Sequence, residues 1–511
     1  MKVDYSKYPE IPEGCLLNPN KKNGTFQVYR EGKKRSPGCT MRRESIGSID
    51  QNGVFKPSTQ WLQAQRIAEL EKENKALRAG RQLLKKSDSK QARQVGAKIE
   101  EIVEQSKLEH RDPAKIEVAM SVLCLGAVLA GLGGNTDCVT ISDYLTRNKQ
   151  QLKEIFPKCD FSAVSHDTIR EALMLIDPKK FQDFYLGMIE PLVNNVDMRV
   201  LAADGQAVRA TGQRSAAYDS LRGAAMMMSV YDAHNRVTLS QAYVDKKTNE
   251  IAVGPGMLRE LNIEGCVVTA DAMSCQMTFV EAVLEGGANY LLSLKGNQEK
   301  SWNEVFNLFH TTHPDQILTD EGEWELGHGR IEQRSVSVIR GRLLSQMLRS
   351  KWMGLEDGAV VRVRAERTIK KTKQTSVEER FYITSLPPTP DFVRKIGAVI
   401  RDHWAVENNL HWMLDDCFRQ DRMQAKNPAY ITNRCALNKL CLALLENYRF
   451  HLWNRGLADE KLSVRLLQTR CQGDIRDAIR CVGYALGWLK YTSGTSILAR
   501  SPCLVYSLIL V

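Results

Sequence analysis

Between Arg401 and Asp416 the chain reads Arg-Asp-His-Trp-Ala-Val-Glu-Asn-Asn-Leu-His-Trp-Met-Leu-Asp-Asp, its densest cluster of acid, imidazole, amide and indole side chains. Thr389-Pro390-Asp391 precedes it, with a threonine suited to cap, a proline suited to the first turn and an acid that favours the positive end of the dipole. A helix is therefore expected. At about 3.6 residues per turn, Trp404, Glu407, Asn408, His411 and Asp415 fall on one stripe, with Leu410 and Leu414 beside it toward an apolar seam. A packed face would prefer leucine there, so these side chains either meet water or bind something, such as a metal.

Two further acids follow apolar runs. Asp204 comes after Val200-Leu201-Ala202-Ala203, and Asp271 after Val267-Val268-Thr269-Ala270. If both runs are buried strands of a sheet covered by helices, their carboxyl ends can bring the two aspartates side by side to receive Glu407 from the helix. Three such carboxylates repel one another, and a hard dication with oxygen preference removes that penalty. Two such ions about 4 Å apart can activate a water or hydroxyl and stabilise a departing oxygen during in-line phosphoryl transfer. Taken singly, each aspartate can equally cap the turn after its strand, and Glu407 can be a solvated helix residue. Asp416, Asp421, Glu323, Glu332 and Glu378 are rival acids, none of which shares the stripe with Trp404 and His411.

Lys247, Lys295, Asn297, Gln298, His328 and Arg330 carry donors suited to phosphate or base contacts, and Trp404 and Trp412 have rings on which an unpaired base can stack. The plainer alternative keeps Lys295 to Gln298 as a turn after a strand, His328 as a turn residue and the tryptophans as packing between helix and sheet.

These residues need elements to position them. Met198–Ala203, Ala224–Asp232 and Val237–Val244 read as three strands, followed by a helix Glu250–Leu261, a strand Cys266–Ala270, a helix Ser274–Glu285 and a strand Tyr290–Leu294. That order makes a mixed sheet with helices on it. Strand patterns return between residues 321 and 386, at Val336–Ile339, Ala359–Val363 and Phe381–Thr384, as an inserted β unit. Residues 196–445 thus form the expected catalytic domain, and 446–511 a helical C-terminal region. Ahead of it, 112–195 read as a helical unit, with starts at Ser142-Asp143 and Ser165-His166-Asp167. Residues 61–111 read as a helical linker in which Ile67, Leu70, Asn74, Leu77, Arg81 and Leu84 occupy a and d positions of a short heptad run. Residues 1–60 read as a small β unit with eight basic against three acidic residues between Lys21 and Asp50, either a DNA-contacting arm or a solvated basic surface.

The whole-chain figures narrow the class. A chain of 511 residues exceeds one ordinary core, and its formal charge of +11 favours a polyanionic partner without singling one out. Thirteen cysteines, an odd number with no Cys-x-x-Cys pair, fit neither a secreted disulfide framework nor a zinc ribbon, so a reducing cytoplasm is expected. The start Met1-Lys2-Val3-Asp4 lacks the apolar run of a signal peptide. The longest apolar run, Val118–Leu132, falls short of the roughly 20 residues a membrane span needs and reads as a buried helix.

Six segments, in order, carry a more specific signal: Asp204-Gly205, Lys247-Thr248-Asn249-Glu250-Ile251, Thr269-Ala270-Asp271-Ala272-Met273, Leu294-Lys295-Gly296-Asn297-Gln298, His328-Gly329-Arg330-Ile331-Glu332 and His403-Trp404-Ala405-Val406-Glu407-Asn408. Together they resemble the motifs of DDE transposases of bacterial insertion sequences, over about residues 115 to 445. The resemblance implies an α/β fold with a ribonuclease H-like mixed sheet, a β insertion before the last acid, and Asp204, Asp271 and Glu407 as catalytic ligands of Mg2+ or Mn2+. It further implies DNA as partner, both element ends and target, handled by a homodimer or larger assembly. Gln206 departs from the pattern, standing where such transposases commonly carry lysine. Two other activities remain open at this point: a DNA-binding relative that has lost catalysis, and a metal-dependent nuclease that cuts without joining strands.

Overall fold

The structure is a computed structural model. It describes the chain apart from residues 1–2, 5, 9–10, 21–23, 32–42, 60, 63, 66–87, 113, 115, 157–163, 195, 197, 215–220, 245–249, 328, 459–461 and 488–511. The chain divides into two compact units, residues 1–87 and 88–511.

Four strands are described in the first unit. Strands β1 (Cys15–Asn20), β2 (Thr25–Glu31), β3 (Arg43–Ile49) and β4 (Phe55–Pro57) pair antiparallel in sequence order. The turn into β4 is built by Asp50, whose Oδ1 accepts the backbone N–H of Asn52 and of Val54, both at 3.0 Å, with Gly53 at φ +77° closing the corner. Val28, Ile46 and Ile49 are fully buried in a miniature core with Val3, Ile11, Cys15 and Leu17. The heptad run from Ile67 to Leu84 lies outside the described residues.

The second unit opens with helices α1 (Asp88–Gln105), α2 (Met120–Leu132), α3 (Cys138–Arg147), α4 (Lys149–Ile155), α5 (His166–Leu175) and α6 (Pro178–Ile189). All of α2 is buried, as its unbroken apolar run requires. Gly131 lets it approach a later helix, because a Cβ there would meet the Cys441 sulfur at 2.6 Å. Ser165 caps α5 as expected by accepting from Thr168 N. Ser142 does not start a helix. It lies inside α3, which begins at Asp137 because that side chain accepts from Thr140 N while Thr140 returns the contact, a complete capping box.

A continuous mixed sheet follows. Its strands are β5 (Val200–Val208), β8 (Ala225–Asp232), β9 (Val237–Val244), β10 (Val267–Ala270), β11 (Asn289–Leu294), β12 (Leu318–Glu321), β13 (Glu325–Gly327), β14 (Arg330–Arg340), β15 (Ala359–Ile369) and β16 (Thr375–Thr384). The short pair β6 (Gln213–Arg214) and β7 (Leu221–Arg222) stands apart. The order is β12-β14-β15-β16-β11-β10-β5-β8-β9, with β13 on β14. Strands β5, β10 and β11 run parallel; β8 and β9 extend one side antiparallel, and β16 pairs antiparallel with β11 on the other. The strands expected as an inserted β unit therefore continue the same sheet, because β16 bonds β11 directly.

Between the parallel strands lie α7 (Glu250–Arg259) and α8 (Met277–Glu285), then α9 (Glu299–Thr311) and α10 (Gln346–Lys351). Next come α11 (Pro390–Ala405), a π-helical turn Val406–His411, α12 (Trp412–Phe418), α13 (Pro428–Asn454), α14 (Val464–Gly473) and α15 (Ile475–Ala485). Thr389 caps α11 by accepting from Phe392 N, with Pro390 in the first turn. Phe392, Val393, Ile396, Val399 and Ile400 of α11 pack on Val200, Val267, Leu291, Val336, Val361 and Tyr382 of one sheet face. Helix α13 is buried from Ile431 to Glu446 and joins the sheet to the N-terminal helices. Among the described residues no helix is long and apolar enough to cross a membrane, and the described cysteines are all free.

One contact shows how α13 ties these parts. The fully buried Asn433 donates through Nδ2 to the carbonyls of Leu173 and Ile176 at the end of α5, both at 2.9 Å. An Asn433→Leu protein leaves those carbonyls unbonded and is expected to lose about 2 kcal/mol of stability, read as a lower thermal midpoint by calorimetry.

Candidate active site

The site begins with strand register. Strand β10 pairs with β5 so that Val267 faces Val200 and Ala270 faces Ala203. One residue further this places Asp271 beside Asp204, and the two-residue period turns both toward the face that α11 covers. Asp204 does not stand at the end of its strand. β5 continues to Val208, paired with β8, after β10 has stopped at Ala270, so Asp204 is mid-strand opposite Ser229.

Two histidines of the covering helix meet the two carboxylates. His403 Nδ1 lies 3.0 Å from Thr269 Oγ1, and its Nε2 lies 3.7 Å from Asp271 Oδ1. Eight residues on, His411 Nδ1 lies 3.5 Å from Asp204 Oδ2, while its buried Nε2 has no hydrogen-bond partner. Lys295 Nζ is 3.9 Å from Asp271 Oδ1.

The electrostatics separate the aspartates. The His403 imidazole, then Lys295 and Arg380, hold Asp271 below the usual carboxylate range against its partial burial. Burial pushes Asp204 up to about 6; the Gly205 N–H and His403 oppose this, and the negative charges of Asp271 and Glu407 add to it. Burial and the Lys439 charge push His411 down to about 3, so its ring is neutral despite the neighbouring carboxylate. Asp415 is raised, first by burial and then by Asp421.

Glu407 sits in the π-helical turn. The N–H of Trp412 donates to the Glu407 carbonyl, five residues back rather than four. This turn breaks the single stripe expected from a regular helix, because one extra residue rotates everything after it by about 100°. Glu407 and Asn408 are exposed, while His411 and Asp415 turn inward against β5. Trp404 is half-buried under the Arg380 guanidinium, 4.9 Å from its ring, and Trp412 is 60% exposed.

The expected nucleic-acid contacts divide. Asn297 donates to the Ala272 carbonyl at 2.6 Å and Gln298 to the Cys275 carbonyl at 2.9 Å, so both amides brace the loop that follows Asp271. Arg330 is an exposed arginine paired with Glu332 at 3.4 Å. Lys247 and His328 lie outside the described residues. Sequence reasoning did not single out Arg380, and it marked Gln206 only as a departure from the family pattern, without a role in the site. For Gln206 a signal existed, since it stands two residues after Asp204 on a strand and must share its face.

Among the described residues no three His, Cys, Asp or Glu side chains converge tightly enough to form a ready-made metal cluster. The donor set nevertheless suits a hard dication: two carboxylates on neighbouring strands and a third close enough for its charge to raise Asp204 repel one another, and a cation relieves that repulsion.

The structure thus presents a mixed sheet with two neighbouring aspartates beneath a helix that carries a glutamate. Residues 195–444 match the family described as Transposase DDE domain, and residues 107–188 the family described as DDE_Tnp_1-associated. Over these stretches the chain is similar to DDE transposases of bacterial insertion sequences. It is 28% identical to the H repeat-associated putative transposase YhhI and to the putative protein YbfL of Escherichia coli K12, each over 316 residues, 61% of this chain and 81% of the relative. Over 345 residues it is 28% identical to the putative transposase YncI of Escherichia coli O157:H7, 66% of this chain and 84% of that protein.

Behind Asp204 lies an unusual charge. Lys439 is fully buried, donates to Ser229 Oγ at 2.7 Å and Gln241 Oε1 at 2.8 Å, and has no ion-pair partner among the described residues. Burial lowers its pKa to about 8 from 10.5, so the fold pays to keep it charged below pH 8 and that penalty fades as pH rises to 10.5. A Lys439→Met protein is expected to melt higher than wild type at pH 7 and to lose that advantage by pH 10.5, as paired thermal melts would show.

Proposed function

We propose that this chain is a DNA transposase that cuts phosphodiester bonds at the ends of its element and joins the freed 3′ hydroxyl to target DNA. The observation that carries the reading is the parallel register of β5 with β10, which sets Asp271, one residue past β10, beside Asp204 and under the helix that bears Glu407. The strand order β9-β8-β5-β10-β11, two antiparallel strands followed by three parallel ones, supports a ribonuclease H-like reading of the sheet centre.

Asp204, Asp271 and Glu407 are the residues that would hold Mg2+ or Mn2+. When bound, the metal supplies activation of the attacking water or hydroxyl and stabilisation of the departing oxygen. The protein's own contribution is positional. His403 bridges Thr269 and Asp271, which fixes that carboxylate next to Asp204. The neutral His411 beside Asp204 Oδ2 contributes no competing positive charge. Lys295 and Arg380 bring positive charge to the Asp271 side, where a scissile phosphate needs neutralising. Exposed Trp412 offers a ring to a base displaced from the duplex, and Arg330 a phosphate contact further out.

Purified protein with Mg2+ is expected to cleave duplex carrying the inverted repeats that flank its coding DNA and to yield joined products with a target. Asp204→Asn, Asp271→Asn and Glu407→Gln are each expected to slow cleavage by more than about 100-fold while retaining DNA binding. Equal cleavage by an Asp271→Ala protein would sink the assignment, and cut ends without joined products would favour a nuclease.

The raised Asp204 adds a pH test. A cation must displace the Asp204 proton, so affinity is full above pH 6 and falls below it. At pH 5 the Mg2+ concentration giving half-maximal cleavage is expected to be about tenfold higher than at pH 7.

A further inference from the structure

Three buried amides run in series from α13 to the π-helical turn. Asn438 Nδ2 donates to Gln420 Oε1 at 3.2 Å, and Gln420 Nε2 donates to Gln206 Oε1 at 3.0 Å. Gln206 Nε2 then donates twice, to the main-chain carbonyl of His411 at 3.2 Å and to Asp415 Oδ1 at 3.0 Å. The three residues are 3%, 1% and 7% exposed, and each amide nitrogen donates at least once inside the protein. Buried amides of this kind cost free energy unless each is bonded, and an apolar trio would fill the same space without that risk.

The direction of the series indicates its use. Asp204 and Gln206 are two residues apart on β5 and face the same helix: Asp204 meets the His411 side chain and Gln206 grips the His411 main chain. Together they define the rotation of this helical segment about its axis, at the residue that ends the π-helical turn. Glu407 lies at the other end of that turn, its carbonyl bonded to Trp412 N. A slip to regular α-helical bonding would rotate Glu407 relative to His411 by about 100°.

We propose that the Asn438–Gln420–Gln206 relay is a positioning device that holds the π-helical turn in register and so presents Glu407 to Asp204 and Asp271. The proposal rests on the carboxylate site described above. None of the three residues touches the reacting atoms; they act through the main chain of the helix.

The test uses the full chain and Mn2+ alone as probe, followed by electron paramagnetic resonance titration, with Mg2+-dependent cleavage in parallel. Gln420→Met cuts the relay at its centre. It is expected to weaken Mn2+ binding and slow cleavage by about tenfold each, with metal-free DNA affinity unchanged. The paired variant Gln206→Lys with Gln420→Glu keeps a donor to His411 and Asp415 and an acceptor for Asn438, and is expected to restore the wild-type Mn2+ midpoint. A Gln420→Met protein with the wild-type midpoint overturns the proposal. If Gln420→Met does not fold, the paired variant decides alone: a wild-type midpoint supports the relay and a weakened one overturns it. Wild-type Mn2+ binding that survives Asp204→Asn removes the carboxylate site itself and the relay with it, whereas binding lost in Asp204→Asn but indifferent to Gln420→Met removes the relay only.

Discussion

The parallel pairing of β5 with β10 is the constraint on which the rest depends. Nothing in either strand alone brings Asp204 to Asp271, which are far apart in sequence. The ladder that sets Ala203 against Ala270 does so, and a slip of one residue would turn one carboxylate to the opposite face. Both strands are buried on both sides, by α11 on one face and the larger helical core on the other, so such a slip would also misplace Val200 and Val267. The packing that stabilises the sheet therefore holds the acidic pair in register.

Placing two carboxylates together has an electrostatic cost, and the surroundings divide it unequally. Asp271 is compensated by His403, Lys295 and Arg380 and stays ionised, whereas Asp204 lies deeper and is pushed up toward neutrality. Asymmetry of this kind lets the pair coexist, because the more deeply buried carboxyl can take up a proton. The third acid comes from outside the sheet, and a π-helical turn gives the covering helix two functions: residues before it pack on the sheet, and residues after it rotate inward to meet β5.

The strands that follow α9 extend the same hydrogen-bonded surface. Because β16 pairs with β11, the arginine-bearing ends of β14, β15 and β16 are rigidly connected to the site, and Arg380 can sit over Trp404 while its charge reaches Asp271. A separate module on flexible connections would not hold that distance.

Much of this was legible in the residues. The apolar runs ahead of Asp204 and Asp271 marked buried strands, Thr389-Pro390-Asp391 marked the start of the covering helix, and the unbroken run to Leu132 marked a buried helix, because burial and capping are local demands that a sequence states directly. The ordered motifs from Asp204 to Asn408 pointed to the transposase family. What the residues could not state is set by partners distant in the chain. The end of β5 at Val208 depends on β8. The split of the Glu407 stripe follows from a π-helical turn whose His411 carbonyl is bonded by Gln206 from another strand. Sequence alone determined which residue types are present and which local elements they form; only the tertiary structure decided which carboxylates are neighbours and which way Glu407 faces, because strand register and helix rotation are fixed by contacts between segments distant in the chain.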